Sequence, residues 1–151
     1  MKSARESEAE MTVLMLPSDA NPNGNVFGGV ILKHIDLIAG VVAMRHSRMN
    51  VVTASIDRVN FLKPVFIGNA LLLHARINYV GKSSMEIEVR VEAEDLKEGS
   101  KRLAATAFVT MVALDEEGKP SKVPELLLED EEDIRRFEEG RKRMLARKHN
   151  L

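Results

Sequence analysis

From Met85 to Glu94 apolar and charged side chains alternate without a break. Met85, Ile87, Val89, Val91 and Ala93 fall on one side, and Glu86, Glu88, Arg90, Glu92 and Glu94 on the other. A period of two predicts a strand with one face in a core and one in water. Residues 70–80 alternate as well, Leu71, Leu73, Ala75, Ile77 and Tyr79 opposing His74, Arg76 and Asn78. Residues 51–62 are rich in β-branched side chains and stop before Pro64, and residues 10–16 read as a short strand ended by Pro17. Residues 103–114 are apolar on both faces, as in a central strand, and a turn at 115–120 closes them. The run from Val30 to Met44 is too long for a strand and predicts a helix. Its apolar residues sit on nearly every side, so burial is expected. From about 128 to 149 the chain predicts a charged surface helix, with acids first and bases last as the helix dipole favours. Within it Glu138–Lys142 and Glu139–Arg143 are spaced as i,i+4 pairs.

Short links between the later strands imply an antiparallel meander, and one sheet wrapped around one apolar helix is the economical α+β solution. The division this predicts is a loosely ordered segment 1–9, a domain over 10–124 and a C-terminal charged helix over 125–151. A sheet this small leaves open edges, which suits pairing between subunits.

One carboxylate, Asp36, interrupts the apolar helix. At about 100° per residue Gly29 and Ala43 share its stripe and Gly40 lies close by, so the acid stands among the smallest residues of the helix. An unpaired buried carboxylate costs on the order of several kcal/mol, against about 0.2–0.5 kcal/mol returned by an i,i+3 pair with Lys33. Folding alone gives little reason to keep it. The loop before the helix crowds Asp19, Asn21, Pro22, Asn23, Gly24 and Asn25 together, then Gly28 and Gly29 open the helix.

Composition narrows the chemistry. Among 151 residues, 22 basic and 23 acidic side chains leave a formal net charge of -1, which argues against nucleic acid as the main partner. A single Tyr and no Trp leave few platforms for stacking bases. The absence of cysteine excludes disulfides, thiolate metal sites and a cysteine nucleophile. The segment MKSARESEAE lacks the apolar core of a signal peptide, and the helix broken by Lys33, His34 and Asp36 is too short to span a bilayer. A cytoplasmic protein without membrane contact is expected.

Six segments in order, PSDANPNGNVFGG, HIDLIAG, VVTASIDRVNFLKPVFIGN, GKSSMEIEVRVEAED, FVTMVALDEEGKP and RFEEGRKR, together resemble the hotdog-fold acyl-CoA thioesterases. The branch is that of the brain-type and bacterial acyl-CoA hydrolases, and the likeness covers most of residues 11–145. It implies a hotdog fold, a five-stranded antiparallel sheet around the central helix. It also implies pairing into a ten-stranded double-hotdog dimer and further assembly of this homo-oligomer into hexamers. The implied reaction is hydrolysis of a fatty acyl-CoA to free acid and CoA, with no cofactor beyond the CoA of the substrate. The family's functional asparagine falls on Asn25 and its aspartate on Asp36, acting together from opposite subunits. Several relatives carry His where this chain has Phe27.

Thioester hydrolysis needs a base or nucleophile near the carbonyl carbon and donors near its oxygen. An apolar wall strengthens a carboxylate as a base, and Asp36 suits either role. Asn25 offers amide hydrogens, and the N–H groups of Gly28 and Gly29 face outward at a helix N-terminus. The plainer readings are an N-cap for Asn25 and a carboxylate satisfied by a neighbouring subunit for Asp36. CoA phosphates call for basic side chains at the cleft mouth. Lys82, with Ser83 and Ser84 in the turn before Met85, is the first candidate, followed by Arg58, Lys63 and Arg143. His34, His46 and His74 lack ligand spacing, and no metal site is expected.

No G-x-S-x-G elbow marks a serine thioesterase, and Gly24, Gly28 and Gly29 do not make the dinucleotide-binding G-x-G-x-x-G. A hotdog dehydratase would need a histidine within residues 20–30, where none stands. The non-enzyme alternative is a protein that binds or senses acyl-CoA in the same cleft without turnover.

Overall fold

Four antiparallel pairings build one five-stranded sheet whose strands stand in the order 9–14, 70–80, 84–94, 101–114 and 50–61. A computed structural model describes residues 1–149 of the chain. The strands are β2 (Ala9–Leu14), β3 (Asn50–Phe61), β4 (Ala70–Val80), β5 (Ser84–Glu94) and β6 (Lys101–Leu114), and the long helix α2 spans Gly28–Ser47. Each strand lies within two residues of the range its pattern predicts. The concave face carries the inward side chains of the three middle strands, such as Ile77, Ile87 and Val109, all fully buried. They pack on Ile35, Ile38 and Val42 of α2. Alanines at 105, 107 and 113 keep the concave face of β6 shallow beneath the helix. The hotdog arrangement implied by the resemblance is the one observed, and β3 is left as a free edge.

Four details differ from the pattern. Tyr79 does not continue the inward row, because a bulge between Ile77 and Tyr79 shifts the register and turns Val80 inward instead. Tyr79 packs against Phe137 of the last helix, α3 (Glu131–His149), with ring centroids 4.8 Å apart. That helix passes so close that a Cβ on Gly140 would stand 2.7 Å from Tyr79 Cβ.

The outer face of β5 does not meet water along its length, since α3 covers part of it. Arg143 forks onto both carboxylate oxygens of Glu86 at 2.7 and 2.9 Å, and Arg136 reaches Glu88 at 2.7 Å. The expected Glu139–Arg143 pair gives way to this arrangement, and Glu139 binds Arg135 instead.

Residues 1–9 are ordered rather than loose. Lys2–Ser3 forms a strand, β1, parallel to β7 (Leu126–Leu127), and Ala4–Ser7 makes one helical turn, α1. Arg5 lies within 3.5 Å of Glu129, Asp130 and Asp133, so three acids at the start of α3 hold the N-terminal segment down. Finally, α2 is buried on one side only. Leu37, Val41 and Met44 are 50, 39 and 49% exposed, because one sheet can cover only one flank of a helix that is apolar all round.

Candidate active site

The loop that leads into α2 is held by its own backbone. Pro17–Asp19 forms a 3₁₀ turn in which Asp19 accepts the Leu16 N–H at 2.8 Å, and the Phe27 N–H returns to the Asp19 carbonyl. Gly24 takes a positive φ of 87°, which a side chain would resist, and its N–H bonds the Asn21 carbonyl. Asn21 Oδ1 accepts the Asn23 N–H at 2.9 Å, an Asx turn that occupies the amide oxygen and leaves the amide nitrogen without a partner among the described residues. Asn25 pairs by its backbone with Phe66, and the Val26 N–H bonds the Val65 carbonyl. These contacts seat both asparagines on a cleft of about 330 Å³ that Gly28, Phe61 and Lys63 also line.

Phe27 is the N-cap residue of α2 and makes no side-chain cap, so Asn25 is not the cap its position suggested. The first helical N–H groups, at Gly28 and Gly29, precede any intrahelical acceptor and carry the positive end of the helix dipole. A Cβ at Gly28 would meet the Phe61 ring at 3.7 Å. That is ordinary contact distance, so a small side chain would fit, and Gly28 lines the cleft with backbone alone.

Asp36 lies two turns further along α2 and is half-buried. Its Oδ1 accepts a 2.6 Å hydrogen bond from Thr53 Oγ1, on the edge strand β3. Thr53 escaped the sequence reading because a β-branched residue inside a strand signals only the strand. Gly40, expected near the acid, follows it by one turn, where a Cβ would stand 3.9 Å from the methyl of Met111. Eight residues of α-helix separate Gly28 from Asp36, a rise of about 12 Å. A single chain thus keeps the asparagines and the aspartate in separate places.

The basic candidates divide into three groups. Lys63 shares the cleft of Asn21 and Asn25. Lys82, Ser83 and Ser84 form the turn into β5, which is tied by its carbonyls to the Val123 and Ala113 N–H groups. Ser84 stands in register with Val112, and Val112 with Val52, two strands or roughly 10 Å across the sheet from the neighbourhood of Thr53. Arg58 sits at a β3 bulge with a positive φ of 52° and lines a separate cavity of about 240 Å³ with Phe108, Arg143 and Arg147. Arg143 is committed to Glu86 and stacks 3.8 Å over Phe108; burial works against its charge, but Glu86 keeps it firmly protonated. A larger cavity of about 760 Å³, at the C-terminal end of α2 beside Met44 and Arg48, holds none of these residues.

Residues 23–100 match the thioesterase superfamily. The cytosolic acyl coenzyme A thioester hydrolase of Mus musculus is 42% identical over 144 residues, which cover 94% of this chain and 38% of that protein. This chain therefore spans about two fifths of the length of that mammalian relative. A crystal structure of an apo-hexameric acyl-CoA thioesterase superposes with a TM-score of 0.93 at 41% identity, covering 98% of this chain and 95% of that one. The acyl-CoA hydrolase of Staphylococcus aureus, solved with butyryl coenzyme A, coenzyme A and coenzyme A disulfide, gives a TM-score of 0.89 at 38% identity over 98% of this chain and 90% of its own. Alanine variants of the same enzyme at one aspartate, one threonine and one asparagine have also been solved, the last with coenzyme A bound.

Proposed function

Because the chain belongs to the thioesterase superfamily, we propose that it hydrolyses acyl-CoA thioesters to a free acid and CoA. The observation that carries this reading is the Asp36–Thr53 pair. In the Staphylococcus aureus hydrolase the substituted aspartate and threonine are seventeen positions apart, the same interval as here. Its substituted asparagine precedes the aspartate by fifteen positions. Counted back from Asp36, fifteen positions lead to Asn21, and eleven to Asn25. The interval favours Asn21 over Asn25 as the amide donor, and the free donor end left by its Asx turn supports the change. Asn25 remains beside it as a second wall of the same cleft.

The chemistry follows from these parts. With Oδ1 engaged by Thr53, Asp36 Oδ2 accepts a proton from water as that water adds to the thioester carbon. The carbonyl oxygen gains negative charge and meets the Asn21 amide and the first N–H groups of α2. Collapse of the tetrahedral centre expels the CoA sulfur, which takes up the proton. Water, a carboxylate and fixed donors suffice, so no metal or further cofactor is needed.

The rise of about 12 Å between the start of α2 and Asp36 supports a site made by two protomers, one giving the asparagine and the other the aspartate. The half-exposed stripe of Leu37, Val41 and Met44 and the open edge of β3 supply a surface for that pairing. The assembly we propose is a double-hotdog dimer, built up to a hexamer as in the apo-hexameric thioesterase. Lys63, Lys82 and Ser84 are the proposed phosphate contacts, since Arg143 is already paired. A cytosolic setting is proposed by likeness to the mouse protein; no helix among the described residues is long and apolar enough to cross a membrane.

Thiol release from butyryl-, octanoyl- and palmitoyl-CoA, followed with a thiol-reactive dye, tests the activity. Turnover that vanishes in Asp36→Ala supports the reading. Tight binding without thiol release would replace it with an acyl-CoA sensor.

A further inference from the structure

Beneath the catalytic acid the concave face of the sheet carries two methionines side by side. Met111 on β6 is in register with Thr53 on one side and Met85 on the other. Both thioethers are buried, at 2 and 0% exposure. Thr53 Oγ1, which holds Asp36, lies 3.5 Å from Met111 Sδ, and the Met111 methyl ends 3.9 Å from where a Gly40 Cβ would stand. Gly40 follows Asp36 by one helical turn on the same flank. The helix is thus bare beside the acid at Gly40, and the flexible Met111 side chain fills that notch at ordinary contact distance and would open it by rotating. Methionine has three rotatable bonds and no branch, so it yields to occupants of different shape where Leu or Ile would not.

Resting on the hydrolase reading above, we infer that Gly40 and Met111 form the wall for the first carbons of the acyl chain and set which acyl groups are turned over. Gly40 stands one helical turn, about 6 Å, from Asp36, within reach of the α and β carbons of a thioester whose carbonyl lies one water from the acid. The CoA sulfur leaves as the thiolate and takes no part in this contact. Length and branching near the carbonyl are therefore read by the depth of the notch, and the sulfur of Met111 adjusts that depth.

The test compares kcat/KM for butyryl-, isobutyryl-, octanoyl- and palmitoyl-CoA in the full chain and in Met111→Ala, Met111→Leu, Gly40→Val and Thr53→Ala. A methylene's worth of pocket space is read as roughly 10–200-fold in relative kcat/KM. Met111→Ala is expected to raise branched or long substrates about tenfold relative to butyryl-CoA, and Gly40→Val to lower them by a similar factor. Thr53→Ala, which removes the bond to the acid and only the 3.5 Å hydroxyl contact to Met111, should slow all four by factors within about threefold of one another. Ratios unchanged within twofold in both wall variants would overturn the inference, as would a uniform loss across all four substrates. Gly40→Val keeps the test open if Met111→Ala fails to fold, its integrity checked by melting. Loss of activity from the wild-type chain itself would instead remove the hydrolase reading, so the two failures are told apart.

Discussion

Thr53 and Asp36 meet across the gap between the edge strand and the central helix, through a hydroxyl that donates to one carboxylate oxygen at 2.6 Å. A bond to a charged group contributes about 1.5–3 kcal/mol, and here it fixes the rotamer that aims the other oxygen. Thr53→Ala is expected to lower kcat by roughly 10–100-fold with little change in KM, while Thr53→Ser keeps most of the rate. Steady-state kinetics on one acyl-CoA decide it. Equal losses in the alanine and serine variants would mean that the methyl group, and not the hydroxyl, matters.

If two protomers share each site, two dead variants should repair one another. Asp36→Ala and Asn21→Ala proteins are each expected to be inactive. Co-expressed with different tags and purified as mixed assemblies, they should recover roughly a quarter of the wild-type activity, since half the random pairs hold one intact site of two. Asn25→Ala should lose far less than Asn21→Ala. No recovery in verified mixed assemblies would place the whole site in one chain.

Asp133 and Arg76 form an ion pair between α3 and the sheet, with side chains 3 and 11% exposed. Burial opposes the charge on Asp133, but the Glu129 N–H and the Arg76 guanidinium outweigh it and hold the carboxyl below the usual aspartate range. A depressed carboxylate stabilises the fold at neutral pH, and that stabilisation is lost as pH falls below about 4. Asp133→Ala leaves the buried Arg76 with only Glu8, 3.8 Å from its Nε, and should cost about 3 kcal/mol in urea unfolding at pH 7. Its melting temperature should also change less between pH 5 and about 3 than that of the wild type.

His46 is fully buried in the last turn of α2, its Nε2 bonded to the Pro124 carbonyl at 2.8 Å and its Nδ1 without a partner among the described residues. Burial pushes its pKa down, so the folded chain holds it neutral. The unfolded chain takes up the proton first, and stability is lost as pH falls below about 6.5. The melting temperature should drop from pH 7.5 to 5.5, and His46→Leu should flatten that slope while lowering the starting value. A slope unchanged by the substitution would assign the effect to other groups.

Much of the fold was legible because alternation and periodicity respond to burial. β4, β5 and β6 appear where the pattern puts them, and Asp36 stood out as a charge with no structural reason. Other features left no such mark. The Tyr79 bulge inserts one residue into an even alternation, and an aromatic reads as inward in either register. The acids of β5 look the same in sequence whether they face water or the arginines of α3. The polar start of the chain gave no hint that Arg5 closes on three carboxylates far along the sequence. Thr53 and Asn21 were hidden for a related reason: a strand threonine and a turn asparagine are ordinary until the fold places one against the acid and the other on the cleft.

The two layers against the sheet are fastened by different forces. Inside, α2 is sealed by aliphatic contact that ions in solution hardly touch. Outside, α3 is moored by Arg143–Glu86, Arg136–Glu88 and Arg76–Asp133, with Tyr79 and Phe137 the aromatic contact among them. Rising ionic strength weakens the more accessible of those moorings and leaves the inner seal as it was. The fold's outer coat should loosen in brine long before its central helix shifts.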